Sequence, residues 1–259
     1  MIQWLIRSQV YLAAGAGLLT AGSLVRLGGD PWRLTSAWVF LATLTFYNAA
    51  RSAPVLPSEW VRLRLLPVVI LGLVTGILTL WLLPGQQLVV VVLSVMALLY
   101  LVPIISRRAG SLRQAGLLKV PLVGVVWAGV TAGLPVIEVE PAGFEWIWLV
   151  AERAVFIAAL TLPFELRDRR SDREAGLRTL AHVMRPSSLR RLGALMLMLS
   201  LLVSALSPVD RSGVGWAAVV LAHGLAIGLT LKATSRSHAL FDVGLDGTIL
   251  ILAAGACIS

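Results

Sequence analysis

Long apolar runs follow one another along this chain, separated by short stretches that contain charged residues, proline or glycine. A helix needs about 20 predominantly apolar residues to cross the hydrocarbon core of a bilayer, and it satisfies its backbone hydrogen bonds internally. The pattern therefore predicts an all-α, polytopic membrane helical bundle with about nine transmembrane helices. The predicted spans are 4–26, 33–53, 63–84, 88–105, 115–134, 145–166, 189–207, 214–232 and 240–258.

Turn-forming residues alone separate two pairs of these spans, at 82–85 and at 207–210, so eight or ten spans are alternatives. The longest stretch that is not apolar is 167–188. We therefore expect one integral membrane domain over 1–259, with 167–188 as a cytoplasmic loop within it.

Glycines recur within the predicted spans. Gly72 and Gly76 lie one turn apart in the third span, and Gly124 and Gly129 lie close together in the fifth. Because glycine allows two helices to approach closely in a membrane, we expect both pairs at contacts between helices.

Composition agrees with a membrane location. Of the 259 residues, 58% are hydrophobic and only 14% are charged, whereas soluble domains contain about 25% charged residues. The formal net charge of +9 would suggest nucleic-acid binding in a soluble protein. Here the basic residues lie between apolar runs, where membrane topology requires them, so we expect no nucleic-acid partner.

The basic residues are divided unequally between the two sides of the predicted bundle. If the N-terminus is cytoplasmic, 18 of the 22 lysines and arginines face the cytoplasm, and Arg26, Arg33 and Arg211 face the other side. This excess satisfies the positive-inside rule, and an anionic ligand should approach from the cytoplasmic face. With Lys119 and Lys232 as its only lysines, the chain has the arginine-rich composition of a GC-rich genome. We expect it in a bacterial inner membrane, with the N-terminus and the arginine-rich loops in the cytoplasm.

The segment after the sixth span contains the strongest chemical pattern. Glu165, Asp168 and Asp172 stand at i, i+3 and i+7, so the three carboxylates share one face if the helix continues. Magnesium in proteins is commonly bound by one or two carboxylates together with phosphate oxygens, and the neighbouring arginines could bind the remaining phosphate charge. The alternative is a solvated helix end in which each acid neutralises an adjacent arginine.

These carboxylates begin a longer motif, in which Asp172 is followed by Arg173-x-x-Gly176-x-x-Thr179-Leu180. The whole motif resembles the second aspartate-rich motif of the UbiA-type polyprenyltransferase superfamily, whose members transfer isoprenoid chains from polyprenyl diphosphates to aromatic or other acceptors. The predicted number of spans and the position of the motif, on the cytoplasmic side after the sixth span, also resemble that family. A second similarity lies between the fourth and fifth spans, in Tyr100-x-x-Pro103, Arg107-Arg108, Leu118-Lys119 and Trp127.

The resemblance implies a bundle around a central cavity that binds a magnesium-diphosphate group. It makes Glu165, Asp168 and Asp172 metal ligands, the two aspartates also being catalytic. It further implies that the diphosphate is bound by Asn48, Arg51, Arg108, Lys119 and Arg173. The other cavity residues that it implies are Tyr47, Tyr100 and Asp242.

The first aspartate-rich motif of the family is degenerate here. It should follow the second span, where this chain has Asn48-Ala49-Ala50-Arg51 without an aspartate. Arg51 could replace a magnesium ion by binding phosphate directly, or it could pair with Asp168 and close the site.

Two functions follow from this departure. The first is transfer of a prenyl group from a polyprenyl diphosphate to an unknown hydrophobic or aromatic acceptor with Mg²⁺. The second is a non-catalytic subunit that binds membrane lipid or assists assembly. A small transporter has less support, because two related halves would be expected.

Charged residues within the sixth span are expected to be functional, because placing a charge in the hydrocarbon core costs free energy. Glu152 and Arg153 are such a pair. Alternatively the span begins near Val150, which would leave the pair at the outer interface.

Isolated polar residues carry less information. His238, Asp242 and Asp246 stand at i, i+4 and i+8 where the ninth span begins, and they could contribute polar groups to the cavity mouth. We expect no zinc site there, because a fourth ligand is lacking nearby. His182 and His223 are expected to be solvated or hydrogen-bonded side chains.

Overall fold

A computed structural model describes residues 9–52, 58–105, 118–174, 179–208, 211–234 and 240–258, with side chains described except at 51–52, 58–65, 99–105, 171 and 242. Every regular element in these residues is a helix, which confirms the all-α prediction. The helices are α1 (Val10–Arg26), α2 (Leu34–Ser52), α3 (Ser58–Thr79), α4 (Pro84–Ile105), α5 (Lys119–Val139, with a π-helical turn at Gly129–Gly133), α6 (Trp146–Glu174), α7 (Leu180–Val183), α8 (Pro186–Leu206), α9 (Gly213–Lys232) and α10 (Asp246–Cys257, preceded by π-helical Leu240–Leu245).

Each predicted span overlaps one of these helices, and four of them are long and apolar enough to cross a membrane. These four are α5, residues Trp146–Arg170 of α6, α8 and α9. Shorter apolar stretches occupy Val10–Arg26, Leu66–Thr79, Pro84–Leu98 and Val243–Cys257. The structure therefore supports a helical integral membrane protein, whereas nine crossings remain a prediction.

The long helices form a ring in which α1 packs against both α2 and α10, so that the first and last helices close the bundle. Around the ring, α2 contacts α3, α4 contacts α5, α5 contacts α6, and α6 then leads through α8 and α9 to α10. The contact between α1 and α10 is close because Gly22 faces Ala256, and a Cβ atom on Gly22 would lie 2.5 Å from the Ala256 Cβ.

The helices alternate in direction, which gives the bundle two ends. We call the end where α1 terminates the Arg26 end, and the opposite one the Lys119 end. At the Arg26 end, the Gln86 amide donates to Thr35 Oγ1 at 3.0 Å and to the Leu134 carbonyl at 3.1 Å, which joins α4 to α2 and α5. At the Lys119 end, Arg190 donates to the Ala233 carbonyl at 3.1 Å and joins α8 to α9.

Helix α6 continues well past the predicted end of the sixth span. It runs without interruption to Glu174, so the first residues of the expected loop 167–188 are helical and the three motif carboxylates lie on one helix. Beyond it, His182 of α7 accepts the Thr179 backbone N–H at Nδ1 and lies 3.0 Å from the Arg169 carbonyl at Nε2. The His182 imidazole therefore holds α7 against α6.

The expected glycine contacts are present in α5, and in α3 they are present at Gly72 but not at Gly76. A Cβ atom on Gly124 would lie 2.6 Å from the Ala154 carbonyl oxygen of α6, and one on Gly129 would lie 2.7 Å from Leu93. In α3, a Cβ atom on Gly72 would lie 3.7 Å from Thr45 of α2, whereas no atom of the described residues lies within 4 Å of the corresponding position at Gly76. The prediction for Gly76 is therefore wrong, because no described helix lies against α3 at that position.

Candidate functional site

A cavity of about 830 Å³ lies inside the ring, lined by α1, α2, α4, α5, α6 and α10. This volume is within the range of about 300–1,000 Å³ that is usual for small-molecule sites. Its wall is largely apolar and aromatic over most of its length, which suits a hydrocarbon chain. The aromatic residues of the wall are Tyr11, Trp38, Phe46, Tyr47, Trp127 and Phe164.

Charged side chains line the cavity at the Lys119 end. They are Lys119, Arg167, Asp168 and Asp246. The Arg167 side chain donates from Nε to Asp168 Oδ1 at 2.8 Å, and its guanidinium lies 4.7 Å from the centre of the Phe164 ring. The aromatic face stabilises the cation, and the carboxylate orients it. The cavity thus combines a long apolar body with one ionic end.

Lys119 forms a buried ion-pair group with the other two motif carboxylates. Its Nζ lies 2.6 Å from Glu165 Oε1 and 3.7 Å from Asp172 Oδ2. The exposed fractions of the three side chains are 5%, 0% and 1% respectively, so solvent screens these charges very little. Lys119 thus lies in the cavity wall with two carboxylates as neighbours. Its predicted contact with a diphosphate stays a prediction.

A magnesium site made of three carboxylates does not fit this arrangement. Among the described residues, no group of three or more His, Cys, Asp or Glu side chains is placed to hold a metal ion. Glu165 and Asp172 are held by the Lys119 ammonium group, and a divalent ion placed about 4 Å from that group would be repelled by about 8 kcal/mol at an effective dielectric constant of 20. Magnesium binding by all three carboxylates therefore remains a prediction that this geometry does not favour.

Two further predicted residues lie on α2. Tyr47 lines the cavity, and its hydroxyl accepts the indole N–H of Trp127 at 3.1 Å. The Asn48 amide donates to the Leu44 carbonyl of its own helix at 2.8 Å, and Asn48 is not part of the cavity wall. The structure thus places Tyr47 at the cavity and Asn48 beside it.

Arg173 lies on the surface and outside the cavity. With Leu166, Arg167, Arg169 and Arg170 it lines a separate groove of about 330 Å³ on the exposed side of α6. The groove is basic, so the arginines of the motif divide between the cavity and the surface.

The remaining predicted site residues are outside the part of the chain whose side chains are described. The backbones of Arg51 and Tyr100 belong to α2 and α4, and that of Asp242 belongs to the π-helical turn before α10, but their side chains are not described. Arg108 and His238 lie outside the described residues altogether.

A second group of buried charges occupies the Arg26 end. Glu152 Oε2 lies 2.8 Å from Arg211 and 3.1 Å from Arg26, and all three side chains are at most 2% exposed. Arg153 is 1% exposed, and its Nε and Nη1 atoms have no hydrogen-bond partner among the described residues. Burial lowers the pKa of Arg211, whereas the Glu152 carboxylate opposes that shift. The pair Glu152–Arg153 is therefore buried between helices at the Arg26 end, and its depth in the membrane stays a prediction.

His223 is hydrogen-bonded and buried, as expected. Its Nδ1 donates to the Val219 carbonyl at 2.8 Å, and its Nε2 lies 3.1 Å from Ser200 Oγ. The ring also packs edge-on against Phe156, with 4.9 Å between ring centres. These contacts give it a structural role next to the Arg26 end.

Sequence reasoning did not identify Tyr11 and Trp38 as cavity residues. Trp38 donates its indole N–H to Thr79 Oγ1 at 3.0 Å, which holds the ring between α2 and α3. The sequence carried no specific signal for it, since a tryptophan in a predicted span indicates a membrane location and not a cavity.

Comparison with known proteins identifies a shared fold. No protein-family model matches the chain, and no curated protein matches it. A solved structure described as a digeranylgeranylglyceryl phosphate synthase in membranes does match, with a TM-score of 0.63 and 12% sequence identity, and the alignment covers 98% of this chain and 95% of that chain. At such low identity the likeness establishes fold alone, and in fold this helical membrane protein is similar to a synthase of a prenyl-bearing lipid.

Proposed function

We propose that this chain is a UbiA-like integral membrane protein that binds a polyprenyl diphosphate in its central cavity and transfers the prenyl group to a hydrophobic or aromatic acceptor. The observation that carries the proposal is the form of the cavity, which has an aromatic and apolar body and an ionic end at Lys119, Arg167 and Asp168. The resemblance of the motif to the UbiA-type superfamily and the fold shared with the synthase support it.

The chain's own residues would act by binding and by excluding water. The prenyl chain lies along the apolar wall, and its diphosphate lies at the Lys119 end, where Arg167 and Lys119 donate charge-assisted hydrogen bonds. Loss of diphosphate leaves a cationic prenyl carbon, and the faces of aromatic rings such as Trp127 and Phe164 stabilise cations. A dry wall delays attack by water until the acceptor arrives.

A non-catalytic lipid-binding or assembly subunit is the second candidate. It is favoured by the neutralisation of Glu165 and Asp172 by Lys119 and by the missing aspartates of the first motif. Such a subunit would bind a prenyl lipid in the same cavity without turnover.

The testing experiment is equilibrium binding of a long-chain polyprenyl diphosphate to the purified protein in nanodiscs, with and without Mg²⁺. The wild-type chain should bind, and Arg167→Gln should weaken binding by about tenfold or more, because a charge-assisted hydrogen bond is worth about 1.5–3 kcal/mol. Arg170→Gln is the matched control, since Arg170 is one turn away but 92% exposed.

The outcomes separate the candidates. Absence of binding, or equal effects of the two substitutions, would remove the cavity as a diphosphate site. Binding followed by release of diphosphate on addition of candidate acceptors supports the transferase, whereas binding without release under all acceptors supports the lipid-binding subunit.

A further inference from the structure

We propose that Lys119 is the resident cation of the Glu165–Asp172 pair, so that these two carboxylates hold an ammonium group in this chain in place of a divalent metal ion. The inference deepens the proposed function, on which its meaning for diphosphate binding rests. It concerns the composition of the ionic end of the cavity.

The first support is the geometry of the pair. Glu165 and Asp172 are two turns apart on α6, and Lys119 at the start of α5 lies against both, at 2.6 Å and 3.7 Å. One ammonium group therefore bridges the two carboxylates, which is the arrangement that a shared metal ion would otherwise adopt.

The second support is burial. Glu165 is 0% exposed, Asp172 is 1% exposed and neither belongs to the cavity wall, whereas Lys119 belongs to it. An ion that entered from the cavity would meet the ammonium group before it met these two carboxylates. Glu165 Oε2 has no hydrogen-bond partner among the described residues, so the pair retains an oxygen that could accept a metal once the ammonium is removed.

The consequence for the ligand is specific. Asp168 is the motif carboxylate that lines the cavity, so the motif offers one carboxylate, and not three, to a metal ion that accompanies the diphosphate. The head group meets a fixed ammonium group that Glu165 and Asp172 hold in place.

The proposal is tested by titrating the full chain in nanodiscs with Mn²⁺ alone. The electron paramagnetic resonance signal of free Mn²⁺ measures how much of the ion is bound. Lys119→Met should bind Mn²⁺ at least about tenfold more tightly than the wild-type chain, because two buried carboxylates lose their counter-charge. The gain should disappear in Lys119→Met/Glu165→Gln. Arg191→Met is the matched control, because it removes an exposed arginine of α8 near the same end, and it should bind as the wild type does.

A second comparison covers the case in which Lys119→Met does not fold. In the presence of Lys119, Glu165→Gln should leave Mn²⁺ binding unchanged. Loss of Mn²⁺ binding in that variant, or a well-folded Lys119→Met without the gain, would overturn the proposal. These titrations contain no diphosphate, so they do not depend on the proposed function. A failure of polyprenyl diphosphate binding would remove the proposed function without changing the conclusion about Lys119.

Discussion

At the scale of the residue, buried charge is concentrated at the two ends of the bundle. At the Lys119 end, one ammonium group lies between two carboxylates, and at the Arg26 end one carboxylate lies among three guanidinium groups. A buried charge without a partner is costly, and removal of one member of a buried pair destabilises more than formation of the pair stabilises. Single neutral substitutions at these points should therefore have large effects.

Glu152→Gln should destabilise the protein by about 3–5 kcal/mol, because it leaves the buried guanidinium groups of Arg26 and Arg211 without their anion. The midpoint of thermal denaturation in detergent measures the effect. Glu145→Gln is the matched control, since Glu145 is exposed in the turn immediately before the same helix. Equal midpoints for the two variants would show that the cluster does not contribute to stability.

At the scale of the element, close approach of helices and continuation of α6 determine the site. Small residues allow α1 to pack on α10, and Gly124 allows α5 to pack on α6. Continuation of α6 to Glu174 then brings Glu165 and Asp172 against Lys119. The ionic end is thus a product of the α5–α6 contact.

Gly22→Val should destabilise the bundle by about 1–3 kcal/mol, because its Cβ would overlap Ala256 and force α1 away from α10. The fraction of protein that remains monodisperse after heating in detergent is the measurement. Gly76→Val provides the comparison, as its Cβ meets no atom of the described residues within 4 Å. A more severe loss with Gly76→Val than with Gly22→Val would contradict the packing described here.

At the scale of the whole molecule, helices that alternate in direction surround a cavity that is ionic at one end. The predicted orientation places the Lys119 end in the cytoplasm, since most arginines belong to segments at that end. Under the proposed function, the diphosphate of the donor would lie at the cytoplasmic, ionic end of the cavity, and its chain would follow the apolar wall.

Cysteine labelling tests this orientation. In a Cys257→Ser background, Trp32→Cys at the Arg26 end should react with a membrane-impermeant maleimide in intact bacterial spheroplasts, and Val183→Cys at the Lys119 end should react only after lysis. Both positions are strongly exposed, at 90% and 72%, so access to the reagent is limited by the membrane. The reverse pattern would place the motif on the opposite face.

The sequence by itself determined the helices and much of the chemistry of the site. Length and apolarity of the runs predicted the helical segments, because a segment that crosses lipid must satisfy its backbone within itself. The spacing of Glu165, Asp168 and Asp172 predicted three carboxylates on one helix, since helical periodicity is a local property.

Only the tertiary structure decided which charges meet. Lys119 and Glu165 lie on different helices, and Arg26, Glu152 and Arg211 come from three separate segments. Such contacts depend on how each helix is rotated and how closely its neighbours approach. Hydropathy specifies neither the rotation nor the approach, because an apolar helix can turn almost any face to lipid. The packing of α5 on α6 therefore decided that Glu165 and Asp172 lie against Lys119.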